Sequence, residues 1–242
     1  MIKIKTLFIS DIHLGNPNSQ VDKLLTVLKE YEFDNLFILG DFIDMTYMKR
    51  KFFWNQEHST VIQKILRLSR KGCNVIYILG NHDYYIRSVV EEENINFGSI
   101  LICNEYIYTS VNGEVIFMTH GDCFDGFVRI SPWLYRIGDV SYELSISINK
   151  IYNWFRKLFK LEYWSFSAYM KRKVKSAIKF LNEYKKISEN TISEKGCDSI
   201  MIGHTHTPEI IEGKYYNTGD FCESCSYIIE DLEGNIKLKF VK

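Results

Sequence analysis

The chain lacks an excess of charge of either sign. Lys and Arg total 30, as do Asp and Glu, so the formal net charge is zero. That argues against the broadly basic surface of a bulk nucleic-acid binder, and no nucleic-acid partner is expected. It also lacks any continuous apolar run long enough to span a bilayer. Its first residues, Met1-Ile2-Lys3-Ile4-Lys5-Thr6, run straight into a strand without a signal-peptide pattern, so the expected setting is cytoplasmic. Cysteine is scarce: six in 242 residues do not make a disulfide framework. Cys222-Glu-Ser-Cys225 is a lone CxxC without a second pair, and reads as reduced structural thiols rather than a redox or zinc site. Internal repeats and low-complexity tracts are absent.

What is present suits a globular domain with an insertion: 46% hydrophobic and 25% charged residues. The charge is unevenly spread. Residues 124–190 carry 13 Lys/Arg against 6 Asp/Glu, so this stretch is +7 and the remainder −7. A basic insertion on an acidic body suggests a face for anionic ligands or lipid.

Apolar runs alternate with helical periodicity through the first third. Ile4–Ser10, Leu36–Leu39 and Val75–Leu79 read as buried strands. Residues 20–31 (Val21, Leu24, Leu25, Leu28) and 56–71 (Val61, Ile62, Ile65, Leu66, Leu68) read as helices, the second closed by Gly72. This β-α-β-α-β rhythm predicts a parallel sheet layered with helices. Tyr106–Val111 and Glu114–Thr119 flank Asn112-Gly113, a hairpin signal. A long amphipathic helix is expected over Val140, Leu144, Ile148, Ile151, Phe155 and Phe159, and another over Tyr169, Val174, Ala177, Ile178 and Leu181. Strands resume at Ser199–Ile202 and Tyr215–Asn217, with a closing hairpin of Ser226–Glu230 and Ile236–Val241.

The strand ends carry the chemistry: Asp11, His13, Asp41, Asn81, His82, His120, His204 and His206. Asp11 and His13, like His204 and His206, lie two apart, so an extended backbone would point each pair to one side. Five of the six histidines fall here; the sixth, His58, sits in a charged helical stretch and is expected at the surface. A strand-end Asp is often only a helix N-cap, and a lone His is more often structural than a ligand. Five such ends, each after an apolar run, favour ligation. Oxygen and imidazole donors together suit Mn, Fe, Zn or Ni better than Ca or Mg. The set exceeds one octahedral ion and fits two, with the Asp41 carboxylate as the central bridging candidate. Asp83 is a carboxylate that could orient His82.

In this order the motifs Asp11-Ile12-His13, Gly40–Asp44, Gly80–Asp83, His120–Asp122 and Gly203–His206 resemble the signature of the calcineurin-like metallophosphoesterases. The resemblance implies an α/β fold, a four-layer αββα sandwich, over residues 1–123 and 191–242, with a helical cap insertion at 124–190. It implies one metal at Asp11, His13, Asp41 and His206 and another at Asp41, Asn81, His120 and His204. His82 would face the phosphoryl group as general acid or transition-state stabiliser, oriented by Asp83, with Asp44 and Asp122 steering ligands. The implied chemistry is direct hydrolysis at phosphorus, without a serine or cysteine nucleophile.

The insertion looks like the branch of UDP-2,3-diacylglucosamine diphosphatases, which act in lipid A synthesis at the membrane surface, usually with Mn. His120–Asp125, Tyr163–Tyr169, Lys171–Lys175, Asn217–Asp220 and Glu223-Ser224 carry this likeness. It implies a nucleotide-lipid substrate and peripheral contact with the inner face of the membrane. Arg129 and Arg136 are candidates to meet a phosphate, and Trp164 lies in an aromatic connector that either contacts substrate or packs the cap. The fourth motif departs from the best-studied form of that enzyme, with His82 where it has Arg. A nuclease or a non-catalytic scaffold of the same fold are the other classes; zero net charge speaks against the first and the complete ligand set against the second.

Overall fold

Successive side chains of a strand point to opposite faces, and three strands here are apolar on both. Leu7, Ile9, Leu36, Ile38, Val75 and Tyr77 pack into one buried cluster with Val21, Leu24, Leu28, Val61 and Ile65. Phe8, Phe37, Leu39, Ile76 and Ile78 pack into another with Ile116, Met118, Met201 and Tyr216. Strands that bury both faces need a cover on each side. Helices supply one cover and a second sheet the other, in the computed structural model of the chain, which describes residues 1–90, 94–125, 186, 190–211 and 213–241.

The strands β1 (Ile2–Ile9), β2 (Tyr31–Leu39), β3 (Asn74–Ile78), β4 (Ile95–Phe97), β5 (Ile100–Cys103), β11 (Ser226–Glu230) and β12 (Ile236–Phe240) form a seven-stranded sheet, ordered β12-β11-β1-β2-β3-β5-β4. The central strands β1, β2 and β3 are parallel, with Leu7 opposite Leu36 and Leu36 opposite Val75. The strands β6 (Glu105–Thr109), β7 (Val115–Thr119), β8 (Ser199–Ile202), β9 (Glu209–Ile211) and β10 (Tyr215–Asn217) form a five-stranded sheet, ordered β6-β7-β8-β10-β9. Here β7 and β8 are parallel. Helices α1 (Val21–Glu30) and α3 (Gln56–Arg70) are the crossovers of the first sheet; α2 (Met45–Arg50) and α4 (Tyr84–Arg87) are short helices just beyond Asp44 and Asp83. The architecture is the mixed α/β sandwich anticipated from the sequence.

Most expected elements are present, including both hairpins. Gly72 follows the C-cap Lys71 in the left-handed conformation, at φ +95°, as a helix stop favours. The elements not anticipated are α2, α4, β4, β5 and β9, all too short to give a period. His58 corrects one expectation. It is buried, not on the surface: its Nδ1 accepts the Gly15 N–H at 3.1 Å, and Phe53 and Trp54 meet its ring edge-on. Burial lowers its pKa, in keeping with a neutral ring whose Nδ1 is an acceptor. The six cysteines are all unpaired.

The chain divides into two compact units, Met1–Cys123 with Ser188–Lys242, and Phe124–Ile187. The expected cap helices, Arg129, Arg136, Trp164 and the Lys171–Lys175 cluster lie outside the described residues. No described helix is long and apolar enough to cross a membrane.

The packing between the sheets can be tested at Phe37, which is buried, stacks on Phe8 at 5.4 Å and meets Tyr108 at 5.1 Å. Phe37→Ala is expected to cost about 3–5 kcal/mol of stability in urea unfolding. A loss under about 1 kcal/mol would show that this layer does not hold the sheets together.

Candidate metal centre

The parallel strands deliver polar groups to one edge, and the backbone bends sharply as each strand ends. Asp11, His13, Asp41, His204 and His206 all have positive φ, between 50° and 59°. Asp11/His13 and His204/His206, expected on extended segments, have a left-handed backbone instead. Each such non-glycine residue costs roughly 1–3 kcal/mol and persists only where its surroundings hold it. The holding contacts are specific. Asp11 N–H donates to Gly40 O at 3.1 Å, His13 N–H to Asp41 O at 2.9 Å, and Gly203 N–H to His120 O at 3.0 Å. Asn217, at the end of β10, donates its side-chain amide to Gly203 O and Thr205 Oγ1, both at 2.9 Å, and so braces the loop bearing His204 and His206. Gly80 has no room for a side chain, since a Cβ there would run into the carboxylate and backbone nitrogen of Asp41.

Asp41 Oδ2 is the hub. It lies 3.4 Å from His120 Nε2, 3.8 Å from His13 Nε2 and 3.9 Å from His82 Nε2. Its Oδ1 accepts the His82 N–H at 2.8 Å. His206 Nε2 lies 3.1 Å from Asp11 Oδ1, and Asp11 Oδ2 accepts the His204 N–H at 3.0 Å. His120 Nδ1 donates to Leu39 O at 2.7 Å; a carbonyl can only accept, so Nε2 is left as the ligand atom, 3.2 Å from Asn81 Oδ1. The His204 ring stands 5.1 Å from that of His120.

Asp11, His13 and His206 thus form one group able to hold a cation, and Asp11, Asp41 and His120 another, with Asn81 and His204 beside it. His82 also falls within reach of His13 and Asp41. The donor atoms ask for cations. His13 Nε2 is buried without a hydrogen-bond partner, a costly state unless a metal satisfies it. Burial alone would raise the Asp11 and Asp41 pKa values, but the surrounding imidazoles reverse this. Asp11 falls to about 2 through His206 and His120, and Asp41 falls well below the carboxylate range through His120, His13 and His82. Both are anions, as ligation requires.

The sequence profile of the calcineurin-like phosphoesterases matches residues 4–208. The chain belongs to this family of metal-dependent hydrolases. A UDP-2,3-diacylglucosamine hydrolase of Histophilus somni is 30% identical over 127 residues, 49% of each chain; the match therefore spans about half the length of that relative. The like-named protein of Aeromonas salmonicida is 24% identical over 225 residues, 86% of this chain and 79% of that one. That of Psychromonas ingrahamii is 21% identical over 253 residues, 93% of each. Among solved structures, the E. coli phosphoesterase Yfce aligns over 99% of this chain and 100% of its own at 15% identity, with a TM-score of 0.45.

Within this phosphoesterase the partner of His82 differs from the expected one. Asp83 does not reach the imidazole. Its carboxylate accepts the Gly80 N–H at 2.9 Å, the Ile43 N–H at 3.1 Å and the Tyr77 hydroxyl. Asp83 is a brace for the loop, and burial pushes its pKa up to about 6. Asp44 takes the orienting place, with Oδ1 2.7 Å from His82 Nδ1. Its Oδ2 lies 3.2 Å from His13 Nδ1 and accepts from Asn16 Nδ2 at 2.9 Å, while Oδ1 also caps α2 through Tyr47 N–H at 2.8 Å. The spacing Gly-Asp-x-x-Asp held the signal for Asp44; nothing local distinguished it from Asp83, one residue from His82. Asp122, expected to steer a ligand, pairs with Arg87, a residue that carries no sequence motif.

Burial alone would lower the His82 pKa, but the Asp44 contact and the field of Asp41 raise it to about 9 in the ion-free protein. This lies above the ordinary 6.5, so the contact stabilises the ion-free fold fully below the unfolded value and fades as pH rises through about 9. Asp44→Asn is expected to bring the His82 midpoint down towards or below 6.5 in a proton NMR titration of the metal-stripped protein. A midpoint still near 9 would assign the shift to Asp41 alone.

Proposed function

We propose that this phosphoesterase hydrolyses the pyrophosphate of UDP-2,3-diacylglucosamine to UMP and 2,3-diacylglucosamine 1-phosphate. The observation that carries the reaction type is the buried Asp41 carboxylate among imidazoles from three strand ends, one of which, His82, is also set against Asp44. The substrate reading is supported by the name shared by the relatives above.

Asp11, His13, Asp41 and His206 would hold one divalent ion, and Asp41, Asn81, His120 and His204 the second, with Mn the favoured metal. When bound, such ions neutralise phosphoryl charge and bring the pKa of a coordinated water towards neutrality. His82 faces the reacting phosphoryl group, stabilises the charge that develops there and delivers its Nε2 proton to the leaving oxygen. Asp44 keeps the other nitrogen, Nδ1, protonated and fixes the ring plane. Burial of Asp11, Asp41 and His120 excludes water from the inner side of the centre. Arg129 and Arg136 would meet the diphosphate, Trp164 the lipid part. An acylated substrate resides in a membrane, and the +7 charge of residues 124–190 supports peripheral contact with its anionic inner face.

His82→Ala should leave two ions bound, by elemental analysis, and lower kcat by about two or more orders of magnitude. Loss of an ion, or an unchanged kcat, would give His82 another role. The substrate is tested by hydrolysis with products identified by mass spectrometry. Removing the acyl chains should reduce kcat/KM far more than changing the nucleotide, because each buried methylene contributes about 0.8 kcal/mol. Equal hydrolysis of the deacylated UDP-sugar would replace this reading with a generic nucleotide pyrophosphatase.

A further inference from the structure

Arg87 closes α4, four residues beyond Asp83, and its guanidinium reaches two strand exits at once. Nη2 donates to the carbonyl of Leu79, just past β3, at 2.5 Å. Nη1 and Nη2 together grip Asp122, two residues beyond His120, at 2.5 and 3.2 Å. The pair is largely sheltered, with side-chain exposures of 27% and 12%. A bidentate, charge-assisted fork in such a place is among the strongest and most directional contacts a side chain makes.

The position of this fork gives it a role. Leu79 leaves the seven-stranded sheet and Asp122 leaves the five-stranded one. The two sheets pack through apolar side chains, and that attraction is non-directional. Apolar packing fixes how far apart the sheets sit more firmly than how their ends slide past each other. The same two segments meet again a short way off, where Asn81 Oδ1 lies 3.2 Å from His120 Nε2. Those atoms belong to one expected ion, and metal–ligand distances tolerate only about 0.2 Å. Arg87 also sets a positive charge near Asp83 and Asp41, where carboxylates crowd.

We infer that Arg87 is a positioning residue for the metal centre: with Asp122 it locks the exits of β3 and β7 together and so sets Asn81 and His120 at the spacing of a single ion. The inference rests on the two-ion reading of the centre. It gives Asp122 a different task from steering a ligand directly, and it ties α4 to the metal site without any contact between Arg87 and an ion.

The test is calorimetric titration of Mn²⁺ into the metal-stripped full chain. The wild type should bind in two events; a single event would overturn the two-ion reading itself and this inference with it. Given two, Arg87→Gln should weaken one event about 10- to 100-fold and leave the other unchanged. The weakened event should be the one missing from Asn81→Ala. Asp122→Asn should weaken the same event, and the double variant should be no worse than either single, because the two residues act as a unit. Arg87→Lys should fail to rescue, since a point charge lacks the fork. If Arg87→Gln does not fold, Asp122→Asn reads out the same event with the guanidinium still in place. Equal weakening of both ions, no weakening, or additive losses in the double variant would overturn the inference.

Discussion

A carboxylate buried as an anion needs compensation, and Asp41 at 2% exposure has no solvent to provide it. Its compensation is a backbone N–H on one oxygen and three imidazole nitrogens around the other. Those imidazoles come from the loops after β1, β3 and β7, so no local segment can assemble them. Two sheets must first stack so that their parallel strands end at one edge. The inter-sheet core of Phe8, Phe37, Ile76, Met118 and Met201 does that stacking, and the site is its consequence.

The left-handed backbone at Asp11, His13, Asp41, His204 and His206 has the same origin. Each carboxylate or imidazole must turn inward immediately after its strand, in fewer residues than a relaxed turn uses. The cost is spread over a mesh of buried partners. Asp83 ties Gly80 to Ile43, Asn217 ties Gly203 to Thr205, and Asp11 ties down His204. Gly80 contributes by absence, leaving space that the Asp41 carboxylate fills. Strain concentrated at one edge, with a well-packed core behind it, is how a fold holds ligands in place before any ion arrives.

Asp44 links the two halves of the chemistry. One oxygen faces His13, a candidate ligand, and the other faces His82. Charge on the metal centre and the protonation of His82 are therefore coupled through a single carboxylate, held well below its ordinary pKa by the two imidazoles. His82 is the more exposed of the two histidines, at 27% against 7%.

The apolar pattern of the chain dictates the layers and marks the candidate ligands. Two-faced apolar strands such as Leu36–Leu39 and Val75–Ile78 demand cover on both sides, and the polar residues that follow each run mark one edge of the sheet. The sequence also marked the hairpins and the stop of α3, because turn chemistry is local. It could not decide who pairs with whom. Asp83 neighbours His82 in the chain, yet Asp44 holds the ring, because the β2 exit passes beneath it while the Asp83 carboxylate is consumed by main-chain N–H groups. His58 sits in a polar stretch, yet the loop after His13 lays a backbone N–H against it and buries it. Arg87 carries no motif, and its partners lie just beyond strands of two different sheets. Composition and period report what each residue prefers; hydrogen-bond partners across 30 or 40 residues are set only when strands from separate parts of the chain arrive side by side.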